Sequence, residues 1–391
     1  MNAIELLDII NVGETSKVQF KEIISSSDGL AAELVAMSNS LGGLILVGIK
    51  DKTGDIIGLT YQQLQETGQL VANVATNNVM PLIYLETEVI PIEKSGEKQN
   101  ILVIHVKEGV NKPYKDRNLV IWVKQGDGKR KLTDNFELLR LFQSGGNLLA
   151  DEMEVPITTI KDIDENKGRE YFKKALDYNF EAEDMSFEQA LENINVLRNG
   201  KLTLGGLLFF GRSPQQHKPA FCIKAVSFFG NDSEGLQYRD SQDIIGTIPE
   251  LYRKGLEFCM SNLKHTQQGQ NFNSLGMLEV SKIALEEMLQ NALVHRDYFK
   301  NAPIRLSIFD NRVEIISPGK LPNNLTIANI KLGTVVVRNN LLVSYCVRIM
   351  PYRGYGTGVK RAIKEQPNIK FTNDVDTEQF TVIIPRPEQD N

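Results

Sequence analysis

The sequence predicts a multidomain protein that mixes α+β and α/β units, and three observations carry that expectation. A chain of 391 residues exceeds what one ordinary core organises. Helical and extended patterns alternate along its whole length. Composition is that of a folded protein, 41% hydrophobic and 24% charged, which excludes wholesale disorder. No apolar run approaches the roughly 20 residues that span a bilayer. The first residues show no basic stretch ahead of a small-residue cleavage site, so a cytoplasmic protein without membrane contact is expected.

The elements follow in order. Gly29 to Leu41 reads as an amphipathic helix, and Leu44-Ile45-Leu46-Val47-Gly48-Ile49 as a buried strand. Thr53-Gly54-Asp55 supplies turn chemistry before Ile56-Ile57-Gly58, which predicts a hairpin. Ile101 to Val106 and Leu119 to Val123 are further strands, the second carrying the single tryptophan, Trp122. The acidic stretch Asp151 to Glu165, with Pro156, reads as a linker or exposed arm. Ser186 to Leu197 predicts a helix with a Ser cap and a closing Asn199-Gly200. Leu202 to Phe210 and Phe221 to Phe229 read as strands, and a last block runs from Leu278 to Pro387. The expected division is 1–147, a connector at 148–270 and a C-terminal domain at 271–391.

Charge and cysteine usage narrow the chemistry. A net charge of −5 argues against a uniformly basic coat and leaves room for a local basic groove. Cys222, Cys259 and Cys346 are too few and too far apart for a disulfide framework or a zinc site. The four histidines are equally scattered; His217 and His265 read as surface residues. No Gly-x-x-x-x-Gly-Lys-Ser/Thr run is present, which excludes a P-loop.

In the N-terminal third, Glu14 and Asp51 are carboxylates on separate segments, a type of pair that can hold a divalent cation, Mg²⁺ or Mn²⁺, against a phosphodiester. Lys21 is placed to offset charge on the phosphate, and Gly42-Gly43 permit a tight helix-to-strand turn. Lys112, Lys115, Arg117, Lys124, Lys129, Arg130 and Lys131 cluster with Tyr114 and Trp122. Cations interleaved with aromatics suit phosphate contact and base stacking, favouring RNA or single-stranded DNA and leaving double-stranded DNA open.

Gly13-Glu14-Thr15, Gln19-Phe20-Lys21, Asn39-Ser40-Leu41-Gly42-Gly43 and Gly48-Ile49-Lys50-Asp51 together resemble the Schlafen-type AlbA-like domain. Its usual pattern is Glu-Thr, Glu-Phe-Lys, Asn-Thr-x-Gly-Gly and Gly-Val-x-Asp. The resemblance implies a nucleic-acid domain over roughly residues 10 to 140, descended from a metal-dependent nuclease with a second glutamate five residues after the first. Gln19 stands there instead, which keeps the shape and removes the charge. Gln19 belongs either to a natural binding protein or to a nuclease silenced by a Glu→Gln change.

In the C-terminal third, Glu287 and Asn291 lie four residues apart on one helical face. Gly354-Tyr355-Gly356-Thr357-Gly358 precedes another helix, so its amides can face phosphate oxygens. With Asp310 to Ile315, Ser317-Pro318-Gly319 and Arg338-Asn339, this order resembles a divergent branch of the GHKL, or histidine-kinase-like, ATPases, which have a Bergerat-type α/β sandwich. The resemblance implies ATP as ligand, Asn291 as metal ligand, Glu287 acting on water, and Gly319, Gly354, Gly356 and Gly358 around the nucleotide. Ser317 stands where that family uses an aspartate for adenine. Leu202-Thr203 and Leu207-Leu208-Phe209-Phe210-Gly211 resemble the connector found between the two domains. The combination implies a homo-oligomer that is either a nucleotide-controlled nuclease in stress or phage defence, or a non-cutting transcriptional regulator.

Overall fold

A computed structural model describes residues 1–51, 53–94, 96–180, 184–235, 237–266, 276–322 and 325–387. It divides into two units, Met1–Leu148 and Leu149–Asn391. Among the described residues no helix is long and apolar enough to cross a membrane.

In the first unit, α1 (Ala3–Val12) leads into β1 (Val18–Lys21), α2 (Ser27–Asn39) and β2 (Gly43–Val47). Then come α3 (Tyr61–Asn77), the long hairpin β3 (Glu86–Lys94) and β4 (Glu97–Val106), a short hairpin β5 (Trp122–Gln125) and β6 (Gly128–Lys131), and α4 (Asn135–Ser144). The sheet order is β1-β2-β4-β3, with β1 parallel to β2 and the other pairs antiparallel. Leu6, Phe20, Leu46, Ile101 and Val103 fill a core on one sheet face; Leu34, Val35, Ile45, Val47 and Ile104 fill the other.

Helix α2 departs from the amphipathic expectation. Every residue from Leu30 to Asn39 is buried, because α3, the sheet and the β5–β6 hairpin all pack against it. The expected hairpin around Thr53 to Gly58 reduces to one bridge, Ile49 to Ile56, with the Ile57 and Gly58 amides both donating to the Gly48 carbonyl. Leu119 takes a left-handed φ of 62° in a turn, so the strand around Trp122 starts later than expected.

The second unit contains α5 (Glu165–Leu176), α6 (Phe187–Asn193), α7 (Leu204–Phe210), β7 (Ile223–Phe228), β8 (Tyr238–Ile244) and α8 (Ile248–Asn262). After these follow α9 (Lys282–His295), β9 (Ile304–Ile308), β10 (Arg312–Pro318), α10 (Asn340–Ile349), α11 (Gly358–Glu365), β11 (Lys370–Asp374) and β12 (Gln379–Pro385). One sheet runs β8-β7-β9-β10-β12-β11, and β7 pairs in parallel with β9. Residues 149–391 therefore form one compact unit with a shared core, where the sequence reading divides them at residue 270; position 270 itself lies outside the described residues.

Three further expectations are corrected here. Asp151 to Glu165 is packed in place, with Asp151, Val155 and Ile163 buried, because its apolar residues join the core. The Ser186 helix ends at Asn193, and Asn199-Gly200 is the turn of a small hairpin pairing Leu197–Arg198 with Lys201–Leu202. Leu202 to Phe210 is mainly helix. The Thr203 hydroxyl accepts from the Gly206 amide and starts α7, and an apolar run without period fits a buried helix as well as a strand.

Candidate functional site

The first candidate site sits where β1, β2 and the β5–β6 hairpin converge. Gly42 and Gly43 are required by the chain alone: a Cβ on them would meet the Val106 carbonyl oxygen at 2.5 Å and the Lys17 carbonyl oxygen at 2.3 Å. Asn39, buried, donates to the Tyr114 and Trp122 carbonyls and accepts from the Tyr114 amide, which fixes the later strands onto α2. These motif residues build the scaffold and leave the chemistry to their neighbours.

Glu14, Gln19, Lys21 and Asp51 do come together. The Gln19 amide donates to Glu14, whose carboxylate also accepts from the Phe20 amide at 2.8 Å. Burial pushes the Glu14 carboxyl above its ordinary value; the Phe20 amide opposes this, and the Asp51 carboxylate adds to it. Lys21 Nζ lies 3.6 Å from Asp51. The Gln19 carbonyl oxygen accepts from Lys124 Nζ at 3.0 Å. Glu14 also lines a groove of about 740 Å³ with Phe20, Gly54 and Asp127. Asp127, at the tip of the β5–β6 hairpin, escaped the sequence reading.

The donor set does not fit a divalent cation. Among the described residues no group of three or more His, Cys, Asp or Glu side chains is placed to hold one. Gln19 puts an N–H donor against Glu14, and the Lys21 ammonium faces Asp51.

The basic cluster is largely spoken for. Lys124 is almost fully buried, donating to Glu33 at 2.9 Å and to the Asp127 carbonyl at 2.8 Å. Lys129 takes the other Glu33 oxygen at 2.8 Å. Burial alone would raise the Glu33 carboxyl; the two ammonium groups outweigh it and hold the pKa below the usual value. Lys112 is also buried, bound to Glu108 and the Ser40 carbonyl. Tyr114 is buried as well, so stacking by its ring is closed off. Arg117 pairs with Asp28, and Arg130 reaches both oxygens of Glu137. Lys131 lies over the Trp122 ring, 5.5 Å from its centre, and Lys115 is on a two-residue bridge with Met80.

The second candidate site is a cleft of about 1080 Å³ between α9, β10, the loop ahead of α10 and the N-terminus of α11. Glu287, Asn291, Ser317, Gly319, Gly354, Gly356 and Gly358 all line it, as the sequence pattern implies. Close packing explains the glycines. A Cβ on Gly358 would lie 2.3 Å from the Glu287 carboxylate, one on Gly356 2.2 Å from the Gly333 carbonyl, and one on Gly319 2.5 Å from Asp297. Gly319, Gly354 and Gly356 also have positive φ, of 104°, 64° and 76°.

Four cations, Lys320, Arg338, Arg353 and Arg361, line the cleft against the single carboxylate Glu287 among the described residues. Arg361 is ion-paired with Glu287. Burial raises the Glu287 carboxyl above its ordinary value despite that guanidinium. The Asn291 side chain, which lines the cleft, has no hydrogen-bond partner among the described residues, so its amide oxygen is open to a ligand. Ser317 donates to the Ala292 carbonyl at 3.2 Å, which leaves its hydroxyl oxygen only as an acceptor. Ile315, Ile330, Val382 and Phe380 supply apolar wall. The apolar wall, the four cations and the Asn291 amide fit a nucleotide.

Of the adjacent motif residues, His295 lines the cleft and Arg296 is buried. Burial holds His295 neutral, down to about 4, with its ring bonded to Tyr352 at 2.7 Å. Arg296 stacks on Phe221 and Tyr298 and donates to two carbonyls. Asn339 donates to the Val294 and Arg296 carbonyls, closing the C-terminus of α9.

Residues 14–133 match the family described as Schlafen, AlbA_2, and residues 301–384 match the one described as Putative ATP-dependent DNA helicase recG C-terminal. The chain joins an AlbA_2 domain to an ATPase-like domain. Residues 140–224 match a Domain of unknown function (DUF8451). No curated protein matches the chain. Among solved structures, the DIP2311 protein from Corynebacterium diphtheriae is similar at 20% identity, with a TM-score of 0.48, over 98% of this chain and 80% of that one. The two domain types associate the chain with nucleic acid and nucleotide. Glu287 and Asn291 precede the matched C-terminal range, yet they face the cleft it forms.

Proposed function

We propose that this protein binds nucleic acid through its AlbA_2 unit without cutting it, and that a purine nucleotide in the C-terminal cleft controls that binding. The observation that carries this reading is the Gln19 amide between Glu14 and Lys124. A side chain that donates to one carboxylate and accepts from a buried lysine favours a closed polar network over an open metal site. In the cleft, Asn291 and the four cations would hold the phosphates, and the apolar wall would hold the base. A bound nucleotide supplies charge and ordering to the loops around it, and hydrolysis is not required for that signal. A cytoplasmic, self-associating regulator of transcription suits this chemistry.

A second reading has its own support. The Asp51 carboxylate lies close enough to add to the raised pKa of Glu14, so a carboxylate at position 19 would complete a set of three. That is the geometry of a Mg²⁺- or Mn²⁺-dependent nuclease serving stress or phage defence. A cleavage assay on RNA, tRNA and single- and double-stranded DNA with either cation separates the two readings, run beside a filter-binding assay. Binding without cleavage by the Gln19 protein is the expected result, and metal-dependent cleavage by it refutes the first reading. Gln19→Glu is expected to gain cleavage only under the second, with Glu14→Ala or Asp51→Ala removing it again.

A further inference from the structure

The ion pair between Arg361 and Glu287 is unusual for where it lies. Both groups face a cleft otherwise rich in positive charge, and Gly358 brings the start of α11 hard against the Glu287 carboxylate. Arg361 sits three residues into α11, lines the cleft and has about a third of its side chain exposed. Its Nε–H is buried with no acceptor among the described residues. A guanidinium carries five N–H donors in a rigid fork, so this one holds unused donor capacity while neutralising the carboxylate. Glu287 itself is costly to keep charged in this position, as its raised pKa shows.

Resting on the nucleotide reading above, we propose that Arg361 distinguishes triphosphate from diphosphate by exchanging partners. Without nucleotide it is held by Glu287. With a purine triphosphate bound, it turns to the terminal phosphate and releases Glu287. A phosphate carries more charge and more acceptor oxygens than one carboxylate, so the exchange favours the triphosphate. A diphosphate brings no terminal phosphate to compete for Arg361, so the Arg361–Glu287 pair stays closed. The state of the pair then reports which nucleotide is present, and Glu287 is kept from acting on water until the triphosphate arrives.

The test is calorimetric binding of ATP and ADP, with magnesium, to the full chain and to two variants. Wild type is expected to prefer ATP by roughly tenfold or more, the worth of a charge-assisted hydrogen bond. Arg361→Gln is expected to bring that preference close to unity, through loss of ATP affinity with ADP affinity kept within about twofold. Glu287→Gln removes the competitor without touching Arg361 and is expected to strengthen ATP binding several-fold while leaving ADP nearly unchanged. An equal loss for both nucleotides in a folded Arg361→Gln protein, checked by circular dichroism, gives Arg361 a structural role only and overturns the proposal. So does an unchanged ATP preference in Arg361→Gln, or an unchanged ATP affinity in Glu287→Gln. If Arg361→Gln does not fold, the Glu287→Gln result decides alone. Wild type that binds neither nucleotide refutes the nucleotide reading itself, and the partner exchange falls with it.

Discussion

Replacing Asp151 with asparagine is expected to stabilise the second unit, and by an amount that depends on pH. Asp151 is fully buried; one carboxylate oxygen accepts from the Leu342 amide at 3.0 Å at the start of α10, and the other has no partner. Burial pushes its pKa from 3.8 up to about 6, against the opposing pull of backbone amides. The folded state therefore binds this proton more tightly than the unfolded state. The stability it contributes is fully present below the unfolded value and is lost as pH rises through about 6. The loss at neutral pH is about 3 kcal/mol, since each tenfold difference in proton affinity between the two states is worth about 1.4 kcal/mol. Asparagine keeps the acceptor for Leu342 and never ionises, but leaves its own N–H without an acceptor, which brings the expected gain to about 2 kcal/mol. The gain should be smaller by about 1.4 kcal/mol at about pH 5 than at about pH 7.5. Urea unfolding followed by far-ultraviolet circular dichroism measures this, because Trp122 fluorescence reports the first unit alone. A gain that is equal at both pH values, or a net loss near pH 7.5, refutes the reasoning.

Other outcomes follow from the same geometry. Glu33→Ala strands the buried Lys124 ammonium and is expected to cost the first unit about 3 to 5 kcal/mol in Trp122-monitored urea unfolding; a cost below about 1 kcal/mol contradicts the buried pair. Nucleic-acid affinity measured against salt should lose about one unit of log–log slope in Lys131→Ala, since no carboxylate engages that lysine among the described residues. Lys129→Ala and Arg130→Ala, both already paired, should change the slope by less, and the reverse order moves the binding face elsewhere. Asn339→Ala should lower second-unit stability by about 1 to 3 kcal/mol through two unpaired carbonyls at the end of α9, seen as a reduced melting temperature.

What the sequence made legible was mostly local. The double glycine at 42 and 43 declares a turn that only small residues can take, and the i, i+4 spacing of Glu287 and Asn291 puts both on the cleft. Long-range pairing was hidden. Lys124 and Lys112 read as surface cations because Glu33 and the Ser40 carbonyl, their partners, lie 91 and 72 residues away along the chain. A cue was present: Glu33 is the lone charge in the apolar run Leu30 to Met37, and a carboxylate so placed needs a cation brought to it. The α7 helix was missed for a different reason. Gly205 and Gly206 lower helix propensity, yet they are needed there, since a Cβ on Gly206 would meet the Val196 carbonyl oxygen at 2.4 Å. Arg361 gave no sequence signal of its own, because its role depends on α11 docking against α9.

The parallel pairing of β7 with β9 has a practical side for anyone expressing this protein in pieces. Five residues of β9, from Ile304 to Ile308, are bonded to β7, which lies before residue 270. A fragment cut to the recognised ATPase-like range would begin at residue 301 and lose β7, β8, α8 and the helix bearing Glu287 and Asn291. Its first strand would then present a bare row of amides and carbonyls, with Ile304, Leu306 and Ile308 stripped of their cover. Such an edge recruits other chains, and the fragment is expected to aggregate whatever its nucleotide affinity. Starting at residue 149 keeps β9 paired to β7 and carries every side chain of the cleft.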